Sequence, residues 1–302
     1  MSESRSKTFY LLSAFFLAYV LFLYGPMVAI FVLSFQGPEG GLTFPMNGIS
    51  FHWFYKVFSG GGIVDIGSSF KRSLVLGLVV TALTVVLSVG AGMAFRRKFI
   101  GSNVLFYTAI ASLIMPSIIT SLGIALEFRL IDDLVNHFGS EYHWAWTENW
   151  TTAMGLYTSG LGAHLTWTMP FGLLIMFAIF NRFDKRLEEA ARDLGASPWK
   201  VFRYVILPLI MPSVVGIGLF GFTLSWDELA RSSQAIGSVN TLPLELQGLT
   251  TTVTKPDIYA LGTLTTAVSV VVIVSALLII RFLQKRQASF GSDANQGLSL
   301  IH

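Results

Sequence analysis

Long apolar segments are the feature that most restricts what this chain can fold into. Six of them have the roughly 20 mostly apolar residues that a helix needs to cross a membrane. They lie at about 9–34, 73–95, 104–126, 154–180, 208–229 and 258–281. Charged residues make up only 12% of the 302 positions, against about 25% in ordinary soluble domains. The sequence therefore predicts an all-α integral membrane protein with six transmembrane helices.

The distribution of charge predicts how these helices are oriented. If the N-terminus is cytoplasmic, 14 of the 20 Lys and Arg residues lie in cytoplasmic parts, and 11 of the 17 acidic residues lie outside. Cytoplasmic loops carry an excess of Lys and Arg, so both termini are expected inside the cell. Lys71 and Arg72, at the outer entry to the second segment, are the exception.

This topology divides the chain into a few parts. A short cytoplasmic N-terminus precedes a six-helix transmembrane domain, and a polar cytoplasmic tail, expected to be disordered, follows it. The predicted bounds are 1–8 for the N-terminus, 9–281 for the domain, about 35–72, 127–153 and 230–257 for its outer loops, and 282–302 for the tail.

A charged stretch, EEAARDLGASPWKVFRYVILP at 188–208, interrupts the apolar pattern between the fourth and fifth segments. Good helix formers lead up to Gly195, which suits the left-handed position that ends a helix. Ser197 followed by Pro198 is typical of the start of a second helix. The stretch is thus predicted to form a helix, a glycine turn and a helix. It is either a connection that is charged only for topology or, as its compactness and small Ala residues favour, a docking surface.

The spacing of this stretch resembles the EAA loop of ABC-importer membrane subunits. That pattern is Glu-Ala-Ala, three residues, Gly, nine residues, an aliphatic residue, one more residue, then Leu-Pro. The matching residues here are Glu189, Ala190, Ala191, Gly195, Val205, Leu207 and Pro208, with Val where Ile is expected. The resemblance covers nearly the whole chain and implies the importer-type ABC permease fold.

The resemblance implies a coupling role for the loop, taken as residues 182–207. In this family the first helix of the loop sits in a cleft of a cytoplasmic ATPase, whose ATP-driven closure tilts the membrane helices. The residues expected to couple to the ATPase are Glu189, Ala190, Ala191, Asp193, Gly195, Leu207 and Pro208.

Nothing in the sequence predicts ATP chemistry in this chain. A G-x-x-x-x-G-K-[ST] phosphate loop is absent, and the glycine-rich segment 59–69 lacks the Lys-Ser/Thr that would follow. We therefore expect a non-catalytic subunit with no catalytic residues, no metal site and no cofactor of its own, ATP and Mg being bound by the partner. The resemblance implies an ABC ATPase dimer, a second permease subunit forming a heterodimer, and a periplasmic or extracellular solute-binding protein, in a bacterial inner membrane with no nucleic-acid partner.

The segments FTLSWDELARSS and NTLPLELQGLTTTVTKPDIYALGTLTTAVSV resemble the spermidine/putrescine branch of the family. Carboxylates beside an aromatic ring suit an ammonium ligand, so Trp226, Asp227 and Glu228 are candidate pathway residues, with Glu127 as a weaker one. The alternative is that Asp227 pairs with Arg231 one helical turn later. Other branches, which carry opines, phosphonates, thiamine or ferric iron, stay open.

Two further classes of protein fit the sequence less well. A stand-alone secondary transporter would carry inverted repeats and ionisable residues at mid-span, and neither is clear. A membrane enzyme would need His, Asp or Glu clustered at an edge of the membrane, and the sequence shows no such catalytic set. His137, Glu141 and His143 match no helical zinc spacing, so no metal site is predicted. The tryptophans of the same loop, Trp144, Trp146 and Trp150, are typical of a membrane interface.

Proline and glycine inside the segments predict local features of the bundle. Pro116 is expected either to kink the third helix near the pathway or to be accommodated by its neighbours. Small-residue spacings such as Gly90 with Gly92, and Gly216 with Gly218 and Gly221, are expected to let helices pack closely.

Overall fold

A computed structural model describes residues 6–59, 66–252 and 256–299, with side-chain surroundings as far as Lys285. Within those residues the fold is helical, apart from one isolated bridge between Gln36 and Ile49. The α-helices are α1 Lys7–Leu33, α2 His52–Phe58, α3 Ile66–Phe95, α4 Ser102–Ala111, α5 Ser117–Glu141, α6 Leu161–Asn181, α7 Arg186–Asp193, α8 Pro198–Val201, α9 Leu207–Trp226, α10 Ser232–Ala235, α11 Leu242–Thr252 and α12 Asp257–Ser299. A 3-10 turn at Ala145–Asn149 and π turns at Leu156–Gly160 and Phe202–Ile206 complete the described elements.

Five of the six predicted spans are confirmed as helices long and apolar enough to cross a membrane. These helical stretches are Lys7–Leu33, Ile66–Phe95, Leu156–Asn181, Pro198–Trp226 and Asp257–Lys285. Two of them begin with a π turn or a short helix that continues directly into the apolar helix, namely those containing α6 and α9. Their exposed surfaces carry many Leu, Phe, Ile and Val side chains, as expected of helices that face lipid.

The predicted third span, 104–126, is not one continuous helix. It is divided into α4 and α5 by a non-helical segment that ends at Pro116. Pro116 lacks a backbone N–H, and its ring disfavours a helical conformation at Met115, so the second helix restarts after it. The kink expected at Pro116 is therefore a full interruption, with Pro116 itself as the residue that precedes α5.

The described backbone of α12 is helical to Ser299, while the disorder expected for the tail from residue 282 stays a prediction. A helix that is already nucleated gains one hydrogen bond for each residue it adds, so a polar continuation of a membrane helix can remain helical.

The chain divides into two compact units, Met1–Ser68 with Glu245–Ser269 and Ser69–Leu244 with Val270–His302. In the first unit the side chain of Gln36 organises the segment after α1: its Nε2 donates to the Gly41 carbonyl at 3.1 Å, and its Oε1 accepts the Asn47 N–H at 2.7 Å. Trp53 of α2 donates to the Gly37 carbonyl at 3.3 Å. The predicted loop 35–72 is thus partly ordered by buried polar contacts.

The second unit holds the core on which the loop between α6 and α9 rests. Its buried apolar side chains come from α6, from that loop and from α9: Met176, Phe180, Val201, Ile206, Ile210 and Ile217. Glycine permits a close approach of α3 and α6, because a Cβ at Gly92 would lie 2.6 Å from the Met176 Cβ. Gly90 and Gly216 have no atom within 4 Å of that position, so only part of the predicted glycine packing occurs within this chain.

Candidate coupling loop and pathway residues

The helix–glycine–helix loop forms as its sequence predicts. After α7, Gly195 adopts φ +80°, the left-handed conformation that glycine tolerates best. The Gly195 N–H donates to the Arg192 carbonyl at 2.8 Å, and the Ala196 N–H donates to the Ala191 carbonyl at 3.0 Å. This pair of bonds is a Schellman motif, which satisfies carbonyls at the end of the helix.

The second half of the loop begins with the predicted cap. The Ser197 Oγ accepts the Lys200 N–H at 3.4 Å, with Pro198 in the first turn of α8. Since α8, the π turn Phe202–Ile206 and α9 follow one another without a break, the loop leads directly into a membrane-length helix. A movement of the loop is therefore transmitted to α9 through a continuous helical backbone.

The predicted coupling residues lie mostly on the surface of the loop. Four of these residues belong to α7. Ala191 is partly buried and packs against the core, while Glu189, Ala190 and Asp193 are exposed. Gly195 is exposed, Leu207 is partly buried and Pro208 is exposed. Leu194 and Trp199, beside the glycine turn, are 89% and 67% exposed. Two apolar side chains this exposed on a charged loop are typical of a surface that another protein covers.

Sequence reasoning missed the one buried residue of α7, which is Glu188 rather than the neighbouring Glu189. Glu188 forms an ion pair with Arg96, just beyond α3, and both side chains are about nine-tenths buried. A second cation, Arg192, lies 3.5 Å from the other carboxylate oxygen. A cavity of about 600 Å³ adjoins the pair and is lined by residues of α7, α8 and the end of α3. Because Arg96 and Glu188 are 92 positions apart, no local pattern in the sequence predicts that they pair.

At the end of α9 the candidate pathway residues have different surroundings. Trp226 is buried, stacks on Phe222 with ring centroids 5.7 Å apart, and meets the edge of Phe70 at 5.4 Å. Its ring is therefore covered by two others within this chain, and the role of Trp226 in the pathway stays a prediction.

Asp227 and Glu228 point to separate environments. The Glu228 Oε1 accepts the Arg231 N–H at 2.8 Å, so this carboxylate caps the turn that follows α9. Asp227 is exposed, and partial desolvation by the surrounding protein raises the pKa of its carboxyl above 3.8. Glu127 is exposed on α5, and no described contact joins it to either residue.

The alternative pairing of Asp227 with Arg231 is not found among the described ion pairs. Arg231 is instead fully buried, and its guanidinium donates to the Thr166 Oγ1 and, at 3.2 Å, to the Ser112 carbonyl. It also lies over the Trp167 ring, 4.9 Å from the centroid. Burial lowers the pKa of Arg231, while the charge of Glu228 acts in the opposite direction.

Arg231 stabilises the interruption that Pro116 makes between α4 and α5. A helix that ends inside a protein leaves carbonyls without partners, and each such buried group is unfavourable. The Arg231 guanidinium satisfies the Ser112 carbonyl at the end of α4, and the Ser121 Oγ in α5 donates back to the Arg231 carbonyl at 2.7 Å. The broken segment is therefore held to the end of α9 by hydrogen bonds on both sides of the break.

Replacing Arg231 with leucine is expected to destabilise the protein by about 1–3 kcal/mol, because the partly buried Ser112 carbonyl loses its donor, while the Thr166 hydroxyl keeps only its bond to the Ala163 carbonyl. Thermal aggregation midpoints of the detergent-purified protein measure the change. Arg129→Leu on α5 is the matched control, since Arg129 is exposed. Equal midpoints for the two variants would show that the Arg231 contacts do not hold the break together.

A second buried network, not anticipated from the sequence, joins α6 to α9 and α10. The His164 Nδ1 lies 2.8 Å from the Ser225 Oγ, and the Nε2 lies 2.9 Å from the Ser232 Oγ. Both ring nitrogens are thus hydrogen-bonded, as buried polar groups in a membrane protein must be. A lone His in an apolar segment gives no indication of which helices it connects.

The loop after α5 is fastened by Asp132. Its carboxylate accepts the Trp150 Nε1–H at 3.1 Å, the Ala153 N–H at 2.6 Å and the Thr152 hydroxyl at 2.6 Å. Burial alone would raise the pKa of Asp132, but these hydrogen bonds together lower it below 3.8. The rings of Trp144 and Trp146 stack at 5.8 Å nearby.

His137 and Glu141 approach to 3.7 Å as a pair one turn apart on α5. Over the described ranges, no group of three or more His, Cys, Asp or Glu residues is placed to hold a metal ion.

These elements define a multi-pass helical membrane protein, in which a capped loop runs directly into a helix of membrane length. The chain belongs to the family of binding-protein-dependent transport system inner membrane components, whose sequence pattern matches residues 85–289. The match includes the loop and four of the five helices of membrane length in whole or in part.

Two bacterial relatives match most of the chain. The spermidine/putrescine transport system permease protein PotC of Haemophilus influenzae is 28% identical over 274 residues, which is 90% of this chain and 97% of that protein. The putrescine transport system permease protein PotI of Escherichia coli is 30% identical over 246 residues, covering 80% of this chain and 81% of that one.

Solved structures share the fold at low sequence identity. A chain of a bacterial ABC transporter involved in the import of the acidic polysaccharide alginate superposes with a TM-score of 0.60 at 14% identity, covering 92% of this chain and 96% of that one. A chain of the inward-facing MetNI methionine ABC transporter gives 0.52 at 17% identity, covering 72% and 95%. The chain therefore has the fold of ABC-importer membrane subunits.

Proposed function

We propose that this chain is one membrane subunit of an ATP-driven, binding-protein-dependent importer for polyamines such as spermidine and putrescine. The observation that carries the proposal is its similarity, along 90% of its length, to a permease named for those solutes. The chain supplies half of the translocation pathway, and a second permease subunit supplies the other half. The complex lies in the bacterial cytoplasmic membrane.

In this proposal the chain crosses the membrane six times, with both termini in the cytoplasm. The third crossing, the one not formed by a single long helix, consists of α4 and the first turns of α5, since two helical halves of about ten residues each, at 1.5 Å per residue, together reach about 30 Å. The distribution of Lys and Arg supports this orientation, and the loop 182–207 then faces the cytoplasm.

Energy enters through that loop. A cytoplasmic ATPase dimer, which binds ATP and Mg, receives α7 and the glycine turn in a cleft. The exposure of Glu189, Leu194 and Trp199 supports a protein contact there. Because the loop continues into α9, movement imposed on the loop by closure of the ATPase reorients a helix that ends beside Asp227.

The solute reaches the pathway from an extracytoplasmic binding protein. Asp227 is the foremost candidate to meet its ammonium groups, because its carboxylate is exposed and has no ion-pair partner among the described residues. Glu228 caps a turn, and Glu127 lies on the exposed face of α5, so both are secondary candidates.

The test is reconstitution of the chain with its ATPase, its second permease and its binding protein in proteoliposomes. Uptake of labelled putrescine or spermidine is expected to require the binding protein on one side and ATP on the other. Uptake by the chain alone would make it a stand-alone transporter. Binding of thiamine, an opine, a phosphonate or ferric iron in place of polyamines would assign it to another branch of the family.

A further inference from the structure

We propose that the Arg96–Glu188 ion pair sets which face of α7 is presented to the ATPase, so that Arg96 is a positioning residue for energy coupling. The inference deepens the proposed function and rests on it. Arg96 lies outside the motif that predicts the coupling residues, and Glu188 precedes the motif by one position.

The pair joins two elements that are far apart in the sequence. An Nη of Arg96, at the end of α3, donates to the Oε1 of Glu188 in α7, across 92 positions. Their side chains are only 10% and 9% exposed. Since Glu188 is the one buried residue of α7, this ion pair is the main internal anchor of the helix.

Arg96 is itself held from several sides, so it can serve as a fixed point. Its guanidinium lies over the rings of Phe180 and Phe183, at 4.9 and 5.2 Å from their centroids. It also approaches the Met93 Sδ at 3.8 Å. Arg96 therefore links the end of α3, the end of α6 and α7.

Helical geometry gives the pair its consequence for coupling. Successive residues of an α-helix are rotated by about 100°, so Glu188 can face inward only while Glu189 faces away from it. A shift of α7 by one residue along the helix would bury Glu189 in place of Glu188, so Glu189 could no longer contact the ATPase. Well-packed apolar residues would hold α7 against the core at least as well as an ion pair does. A buried ion pair adds selectivity, because only one register of the helix brings the two charges together.

Four variants of the reconstituted complex test the pair: Arg96→Gln, Glu188→Gln, the charge swap Arg96→Glu with Glu188→Arg, and the control Arg97→Gln. Arg97 is the exposed neighbour of Arg96 and makes no described ion pair. The quantity measured is ATP hydrolysed per polyamine carried. Each single Gln variant is expected to raise it about threefold to tenfold, because Glu188→Gln leaves Arg96 without its carboxylate, and Arg96→Gln leaves Glu188 held only by Arg192 of its own helix, so that α7 loses its charged link to Arg96. The charge swap is expected to reverse part of this increase, because it restores the pair but places Arg at position 188 one turn from Arg192, where like charges repel.

A labelling experiment measures the position of α7 without transport. The chain has no cysteine, so a single Ala191→Cys reporter can be read cleanly with a maleimide. Ala191 packs partly against the core, and its labelling is expected to accelerate about fivefold in the Arg96→Gln background and not with Arg97→Gln. Unchanged labelling and an unchanged ATP ratio in Arg96→Gln would overturn the positioning role. Absence of ATP-driven uptake in the wild-type complex, with accelerated labelling retained, would instead refute the proposed function alone.

Discussion

Replacing Gly195 with valine is expected to reduce solute uptake driven by ATP hydrolysis by roughly 5- to 30-fold or more while membrane insertion stays normal. Gly195 has φ +80°, which costs an L-residue about 1–2 kcal/mol and a β-branched residue more. A Cβ there would meet no atom within 4 Å, so the effect comes from the backbone and not from crowding. A strain of that size shifts the turn away from its native form by roughly 5- to 30-fold.

Gly195→Asn is the matched control, because Asn tolerates the left-handed region better than other residues with a side chain. It is expected to keep most of the uptake, with Gly195→Ala between the two. Copurification with the ATPase, ATP hydrolysis and uptake in proteoliposomes are measured together. If the valine variant assembles, hydrolyses ATP and transports as wild type does, the glycine turn has no part in coupling.

The loop could be predicted from its sequence because each of its determinants is local. Gly195 ends α7, and Ser197 caps α8, through hydrogen bonds that span at most five residues. Such signals operate in any chain that carries them, whatever surrounds the loop. The same is true of the apolar spans, whose length alone matches the membrane.

The break between α4 and α5 could be predicted only in part. Pro116 indicated a disturbance, but whether the helix bends or stops depends on partners for the freed carbonyls. The partner is Arg231, which is 119 positions from Ser112 in the sequence. The sequence indicated Asp227, one helical turn away, as the partner of Arg231. The contact of Arg231 with the Ser112 carbonyl forms only in the packed fold, so the sequence gives no sign of it.

Consecutive glutamates illustrate the same limit at the coupling loop. Glu188 and Glu189 are chemically identical, and the motif drew attention to Glu189. Which of the two faces inward is decided by Arg96 and by the rings of Phe180 and Phe183. Likewise, Trp226 beside two carboxylates resembles a cation site in sequence, and its packing against Phe70 and Phe222 could not be predicted from that pattern.

Replacing Asp227 with asparagine is expected to reduce polyamine uptake about tenfold or more without destabilising the protein. A hydrogen bond to a charged group contributes about 1.5–3 kcal/mol, so loss of the carboxylate charge weakens contact with an ammonium group roughly 10- to 150-fold. The pKa of Asp227 is raised by desolvation in the folded protein. Its contribution to stability is therefore present below pH 3.8 and lost as the pH rises through the raised pKa, because the folded state binds the proton more tightly than the unfolded state. At neutral pH asparagine removes an unfavourable charge, and the midpoint of thermal unfolding is expected to stay equal or to rise.

Glu228→Gln is the matched control, because glutamine keeps the carbonyl oxygen that accepts the Arg231 N–H at 2.8 Å while it loses the charge. Initial rates of putrescine uptake, measured over a range of pH on the side that faces Asp227, separate the two roles. Wild-type uptake should fall as the pH drops through the raised pKa of Asp227, since only the carboxylate attracts the cation, whereas uptake by Asp227→Asn should stay low and vary less with pH. A pathway role for Asp227 is contradicted if Asp227→Asn transports like Glu228→Gln, or if it unfolds at a lower temperature than wild type. In the second case the carboxylate would have a structural partner, and the loss of uptake would follow from the loss of fold.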